Sequence, residues 1–183
     1  MLIRRRLNET MERALAETGR QVHLIGHSLG GIMARSIANQ RPNDIASLIT
    51  LAAAYRGDIA HSTHSVVRRA AQIVRIQILQ AQGPQVLPAC YTSQCTCDFV
   101  SHLQSKVPPA VRETAIYTRN DGIVDWRCCM TGNPDVDCEV SGTHIGLVFN
   151  AAVYKIIATR LAAAHARRCE IKDRRRCAGC GKS

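Results

Sequence analysis

Apolar residues recur at two different spacings along the first third of the chain. Residues 7–18 carry them at helical spacing and stop at Gly19, the residue type that most often closes a helix. Residues 21–28 and 45–53 are instead short runs rich in apolar residues, which are typical of parallel strands buried on both faces. Residues 29–40, between these runs, repeat apolar side chains along one helical face. The pattern therefore predicts helix, strand, helix and strand in turn.

The second half of the chain resumes this alternation after a long interruption. Residues 55–109 contain a helical pattern at 64–80, followed by a stretch rich in proline, glycine and cysteine. This region is therefore predicted to be a partly helical insertion. Strands are predicted at 113–121 and 138–142, and a long helix at 147–167. Alternating strands and helices predict an α/β fold with a mostly parallel sheet.

Length and composition fit one globular domain. The chain has 183 residues, of which 46% are hydrophobic and 21% charged. No apolar run is long enough to cross a bilayer, and no apolar core follows the basic start as it would in a secretory signal. The sequence as written therefore predicts a cytoplasmic protein, with a secreted longer form as the alternative.

The net charge of +10 is concentrated at the two ends of the chain. Residues 167–182 hold seven basic and two acidic side chains, and Arg4, Arg5 and Arg6 add three positive charges. The remainder is close to neutral, so no basic binding face is predicted on the folded part. We expect a solvated basic tail at 167–183 and no specific nucleic-acid partner.

Nine cysteines at uneven spacing fit no single disulfide framework. A disulfide from Cys128 or Cys129 to Cys138 would close a short loop. The tail resembles half of a zinc site, because three cysteines have no adjacent fourth ligand beyond one histidine. The residues concerned are Cys169, Cys177, Cys180 and His165. We therefore predict no metal, and a zinc-dependent interaction tail is kept as a weaker alternative.

Residues 26–30, GHSLG, form a G-x-S-x-G pentapeptide between a predicted strand and a predicted helix. This is the context of a nucleophile elbow, in which a strained backbone holds the serine Oγ clear of the sheet. Side chains at Gly26 and Gly30 are expected to collide where strand and helix approach. The helix start behind Ser28 offers the N–H of Leu29 to an oxyanion. Ser28 is therefore the predicted nucleophile.

A serine nucleophile needs a base and a group that orients the base. In folds with such an elbow the chain order is Ser, then Asp or Glu, then His. Asp121 lies at the end of a predicted strand, where ligand-facing residues of parallel sheets occur, and Asp125 is the alternative. His144 lies on a glycine-flanked loop between the last predicted strand and the last helix. We predict Asp121 as the orienting acid and His144 as the base.

The strings GHSLGG, YTRNDGIVDW and GTHIGL resemble those of bacterial α/β-hydrolase-fold lipases and esterases. The resemblance covers roughly residues 21–161, apart from the region 55–109. It implies hydrolysis of carboxylic esters or lipids through an acyl-serine, without a cofactor. It also implies that the helix at 64–80 is a lid over an acyl-binding pocket. A surface helix packed on the core is the alternative reading of that segment.

The chain departs from this family before the elbow, since only 27 residues precede Ser28. We therefore expect a partial α/β-hydrolase domain at 1–166, truncated before its first strands. The strand at 21–28 then becomes an exposed apolar edge, and the upstream loop that supplies the second oxyanion N–H is missing. Two alternatives follow. One is an impaired remnant that associates with another chain or with itself, and the other is an acyltransferase that uses the same triad.

Overall fold

The computed structural model of the chain describes residues 2–56 and 95–164, together with residues 64, 65, 69, 72 and 76. The strands within these residues form a single sheet, and helices alternate with them. The helices are α1 (Leu2–Thr18), α2 (Leu29–Gln40), α3 (Asp98–Gln104) and α4 (151–164). The strands are β1 (Val22–His27), β2 (Ile45–Leu51), β3 (Arg112–Tyr117) and β4 (Asp137–Glu139).

The sheet has the strand order β1-β2-β3-β4, and every neighbouring pair is parallel. This arrangement confirms the predicted α/β class with its mostly parallel sheet. Because the strands are parallel, all their carboxyl ends lie at the same edge of the sheet. Ser28 follows β1, Asp121 lies in the loop after β3, and His144 lies in the loop after β4.

The sequence of β2 is rich in apolar residues because the strand is buried on both faces of the sheet. Leu48 packs in a cluster with Met11 of α1 and Ile37 of α2. The next residue, Ile49, packs in a second cluster with Val153 of α4. Successive side chains of a strand point to opposite faces, so α1 and α2 cover one face and α4 the other.

Among the described strands, β1 lies at an edge of the sheet and pairs only with β2. Its side chains alternate between buried and exposed along the strand. Leu24 is buried beneath the helices, whereas Ile25 is 49% exposed. An apolar side chain on an exposed edge agrees with the expectation for this strand.

The structure moves the start of two predicted helices. α1 begins at Leu2, five residues before the predicted start, and carries an Arg5–Glu9 ion pair one turn apart. The last helix begins at residue 151 and follows a short 3₁₀ turn at Gly146–Phe149. Asn150 sets this start, because its side-chain oxygen accepts a hydrogen bond from the Ala152 N–H at 2.8 Å.

The predicted lid-like insertion at 55–109 falls largely outside the described residues. Residues 65, 69, 72 and 76, which are described, are helical, as expected from the pattern at 64–80. At the far end of this region, α3 packs on α2 and buries Leu103. The predicted tail at 167–183, with its cysteines, lies outside the described residues. Within the described ranges, no helix is both long and apolar enough to span a membrane.

Candidate active site

Ser28 occupies the sharp turn between β1 and α2. Its backbone has φ 53° and ψ −122°, and a non-glycine residue with positive φ costs about 1–3 kcal/mol. The Ser28 N–H donates to the Leu51 carbonyl at 2.8 Å, and the N–H groups of Gly31 and Ile32 donate to the Ser28 carbonyl. The turn is strained and fixed on both sides, which is the geometry of a nucleophile elbow.

The glycines around Ser28 differ in the space that surrounds them. A Cβ atom at Gly26 would lie 2.5 Å from the backbone of Gly30, and one at Gly31 would lie 2.6 Å from the Ala53 Cβ. A Cβ atom at Gly30 would meet no described atom within 4 Å. The expectation that a side chain at Gly30 would collide is therefore wrong for a Cβ atom. Its backbone approaches β1, but its side-chain direction is open.

We expect Gly26→Ala to destabilise the protein by about 1–3 kcal/mol, because the new methyl group would force the start of α2 away from β1. Gly30→Ala is the matched control. It is expected to stabilise the protein by up to about 1 kcal/mol, since glycine inside a helix is less favourable than alanine by that amount. Urea unfolding of both variants measures the difference. Equal losses of stability at Gly26 and Gly30 would contradict the difference in space around the two residues.

Asp121 and His144 form a buried pair across the ends of β3 and β4. Both carboxylate oxygens of Asp121 lie 2.8 Å from His144 Nδ1, and both side chains are almost fully buried. The backbone N–H groups of Ile123 and Val124 also donate to Asp121 Oδ1, at 3.0 and 2.7 Å. A carboxylate only accepts hydrogen bonds, so His144 Nδ1 carries a proton and Nε2 faces away from the pair.

These contacts decide the charge of Asp121. Burial alone would raise the pKa of this carboxyl group, but the hydrogen bonds from His144, Val124 and Ile123 outweigh it. The pKa of Asp121 is therefore lowered, and the group is a carboxylate at neutral pH. A charged acceptor beside Nδ1 holds the imidazole in one tautomer and stabilises its positive charge when Nε2 takes up a proton.

Asp125, the alternative acid, has a different setting. It caps the 3₁₀ turn Trp126–Cys129, where its side chain accepts a hydrogen bond from the Arg127 N–H. It also pairs with the Arg127 guanidinium, and its side chain is 41% exposed. The structure therefore brings Asp121 to His144 and leaves Asp125 at the surface.

His27 connects the elbow to the loop that carries His144. Its Nε2 lies 2.9 Å from the His144 carbonyl oxygen, and the two ring centroids are 4.8 Å apart. Between the described side chains of Ser28 and His144, no direct hydrogen bond is present. The sequence pattern did not predict this contact. Nothing in the local pattern indicates a bond between residues 117 positions apart.

The surface next to Ser28 and His144 carries a backbone donor and two apolar side chains. Leu29 is the first residue of α2, so its N–H has no partner within the helix and is available to an oxyanion. The side chains of Leu29 and Ile145 are each 58% exposed. They follow the predicted nucleophile and the predicted base directly in sequence. Each of the two predicted residues is thus followed directly by an exposed apolar residue.

No disulfide joins Cys128 or Cys129 to Cys138, so the short loop between them is not closed covalently. Instead, Asp137 closes it with hydrogen bonds accepted from the N–H groups of Thr131 and Gly132, both at 2.8 Å. Burial raises the pKa of the Cys129 thiol, which keeps it protonated. Within residues 2–56 and 95–164, no group of His, Cys, Asp and Glu is arranged to hold a metal ion.

Comparisons with known proteins agree with this architecture. The family model described as serine aminopeptidase, S33, matches residues 6–120, a stretch that includes the elbow. A carboxylesterase structure from the thaumarchaeon Nitrososphaera gargenis is similar with a TM-score of 0.55 and 16% identity. The similarity covers 90% of this chain and 73% of that one.

A putative lipase structure from Acinetobacter baumannii has a TM-score of 0.49 and 15% identity, over 90% of this chain and 69% of the lipase. No curated protein sequence matches the chain. At 16% identity the carboxylesterase structure shows the fold alone, and the match of the family model over residues 6–120 shows the family.

Proposed function

From the premise that the chain belongs to the serine aminopeptidase S33 family of α/β-hydrolases, we propose that it hydrolyses carboxylic esters through an acyl-serine intermediate. Ser28 is the nucleophile, His144 the base and Asp121 the group that orients the base. The observation that carries the proposal is the buried Asp121–His144 pair, which lies at the same edge of the sheet as a strained serine elbow.

In the proposed reaction, Ser28 Oγ attacks the ester carbonyl carbon while its proton passes to His144 Nε2. Asp121, a carboxylate because its pKa is lowered, stabilises the imidazolium that results. The Leu29 N–H donates to the oxyanion of the tetrahedral intermediate. His144 then returns the proton to the leaving alcohol, and a water molecule releases the acid by the same steps in reverse order.

The two exposed apolar residues beside the predicted nucleophile and base favour an apolar acyl group. Leu29 and Ile145, both largely exposed, are next to the two residues that contact the reacting atoms. An acyl chain that lies against them removes apolar surface from water, at about 25 cal/mol per Å². An acyltransferase would use the same residues, with an alcohol in place of water.

The exposed edge of β1 supports a second candidate function. Among the described strands β1 has a partner on one side only, and Ile25 on it is half exposed. An edge of this kind favours strand pairing with another chain. The second candidate is therefore a catalytically inactive protein that associates with another chain through β1. Self-association in size-exclusion chromatography, together with the absence of esterase activity, would favour this candidate.

The proposed nucleophile is tested by labelling the purified protein with a fluorophosphonate, followed by intact mass and peptide mapping. We expect one adduct per chain, located on Ser28, because only a serine activated by a base reacts at a useful rate. Ser28→Ala is the matched control, and circular dichroism verifies that both proteins are folded. A folded wild-type protein without an adduct would contradict the proposal.

The reaction class is tested with short p-nitrophenyl esters and an aminoacyl p-nitroanilide in parallel. We expect hydrolysis of the esters, and the anilide arm measures the peptidase activity that the family description names. A second series adds an alcohol to the ester assay. Transfer to the alcohol in preference to water would replace hydrolysis with acyl transfer, whereas cleavage of the anilide alone would replace the ester substrate with an amide.

A further inference from the structure

We propose that His27 is a positioning residue, which holds the imidazole of His144 in register with Ser28. The proposal rests on the proposed function, since it deepens the role of the same site. Its structural basis is the contact from His27 Nε2 to the His144 carbonyl oxygen, 2.9 Å long, together with the tilted contact of the two rings. Position 27 is the last residue of β1 and the neighbour of Ser28.

The direction of this hydrogen bond follows from its acceptor. A backbone carbonyl oxygen only accepts, so His27 Nε2 must carry the proton and donate it. His27 Nε2 is therefore occupied by the backbone and is not available as a base. The ring is half-buried and inclined by 55° to the His144 ring, with centroids 4.8 Å apart. Contact of the rings and the hydrogen bond together define one orientation of His27.

Residue 144 is thereby held at three points. Its backbone N–H donates to the Asp121 carbonyl at 3.1 Å, and its carbonyl accepts from His27. Its side chain donates from Nδ1 to the Asp121 carboxylate. The two Asp121 contacts fix His144 relative to β3. The His27 contact fixes it relative to β1 and therefore to the nucleophile.

This last contact matters because Ser28 and His144 belong to loops at separate strands, β1 and β4, with two strands between them in the sheet. A displacement of about 1 Å between a nucleophile and its base is enough to slow proton transfer. The side chain of His27 spans the gap from the strand that carries Ser28 to the backbone that carries the base. Loss of its donor is expected to reduce turnover more than substrate binding.

Two variants separate a donated hydrogen bond from simple packing. His27→Phe keeps a planar ring but removes the donor, and we expect kcat to fall by about tenfold with KM within about twofold. His27→Gln places an amide Nε2 at the same number of bonds from Cα as the imidazole Nε2. It is expected to restore kcat to within about threefold of wild type. Both variants are compared at equal folded fraction, measured by thermal unfolding.

Histidine ¹⁵N and low-field proton spectra give a readout that does not depend on turnover. In the wild-type protein, His27 is expected to be protonated at Nε2. The Nδ1 proton of His144, held by Asp121, is expected to be visible in wild type, broadened in His27→Phe and recovered in His27→Gln. A His144 proton signal that is identical in all three proteins would overturn the positioning role, whether or not the protein is active.

The kinetic outcomes distinguish this inference from the proposed function. A wild-type protein that forms no Ser28 adduct would refute the proposed function. The spectra would still show whether His27 holds His144. An active wild type with equal kcat in His27→Phe would refute the positioning role alone. A glutamine variant as slow as the phenylalanine variant would also refute it, because restoring a hydrogen-bond donor at position 27 would then not restore kcat.

Discussion

Asp121→Asn is expected to lower kcat for ester hydrolysis by about 10⁴-fold, with little change in KM. The reason lies in how the structure holds the side chain. The N–H groups of Ile123 and Val124 both donate to Asp121 Oδ1. In the variant, the amide oxygen must occupy that position, because the amide nitrogen cannot accept two hydrogen bonds. The amide NH₂ group is then directed at His144.

His144 responds by changing its tautomer. With an NH₂ donor beside it, Nδ1 becomes the acceptor, and the ring proton moves to Nε2. An Nε2 that already carries a proton cannot take one from Ser28, so the serine stays unactivated. The exchange is nearly isosteric, and the buried pair keeps its shape. The loss therefore appears in kcat rather than in folding or in substrate binding.

Asp125→Asn is the matched control for this variant. Asp125 is four residues away, caps a 3₁₀ turn and pairs with Arg127 at the surface, without contact to His144. We expect its kcat to stay within about twofold of wild type, since exposed ion pairs contribute little. Steady-state kinetics of both variants at pH 8 is the measurement. An Asp125→Asn variant with the larger loss would assign the orienting acid to Asp125.

The α/β class could be predicted from the sequence because each strand and helix has its own local pattern of apolar residues. The run at 45–53 is apolar at successive positions since β2 is buried by helices on both faces. The spacing of glycines and the ends of the predicted strands indicated Ser28, Asp121 and His144 as site residues. The structure places all three at one edge of the sheet. Their catalytic roles stay predictions, because geometry alone does not test them.

Features that depend on distant contacts could not be predicted in the same way. The tight packing of Gly31 against Ala53 depends on a residue more than twenty positions away, and the open space at Gly30 is likewise not visible in the local sequence. The bond from His27 to His144 joins two loops that no local pattern relates. Arg35 lies within a helix whose apolar spacing was clear, yet its guanidinium is buried, and no local pattern predicts a buried arginine there.

Arg35 is the centre of a buried polar cluster that ties α2 to β3 and α3. Its guanidinium pairs with Glu113 and donates to the carbonyl oxygens of Leu103 and Ser105, at 3.0 and 3.1 Å. It also lies over the Tyr55 ring, 3.9 Å from the centroid. The carbonyls belong to the end of α3, where a helix leaves its last acceptors without partners.

Arg35→Met is therefore expected to destabilise the protein by about 3–5 kcal/mol at pH 8, the largest loss of stability among the variants proposed here. Methionine fills much of the volume but supplies no charge and no donor. Glu113, a β3 residue that is mostly buried, is then left without its partner, and the end of α3 loses two hydrogen bonds. Urea unfolding at pH 8, against wild type, measures the loss.

The penalty should depend on pH in a defined direction. In the wild-type protein, burial raises the pKa of Glu113 above its ordinary value of 4.5, although Arg35 opposes the rise. Without Arg35 the pKa rises further. Between the ordinary pKa and the raised pKa, Glu113 is protonated in the folded state and ionised in the unfolded chain. The stability of the variant is therefore retained below the ordinary pKa and is lost as the pH rises through the raised pKa. The variant is accordingly closer to wild type at pH 5 than at pH 8.

A second substitution shows whether the unpaired charge is the cause. In Arg35→Met with Glu113→Leu, no buried carboxylate remains, and we expect part of the lost stability to return at pH 8 with a weaker pH dependence. An Arg35→Met variant that is as stable as wild type at pH 8, or that loses more stability at pH 5 than at pH 8, would contradict this role of Arg35.

Because α2 begins at the elbow, a loosened Arg35 cluster is also expected to lower the fraction of chains that fluorophosphonate labels.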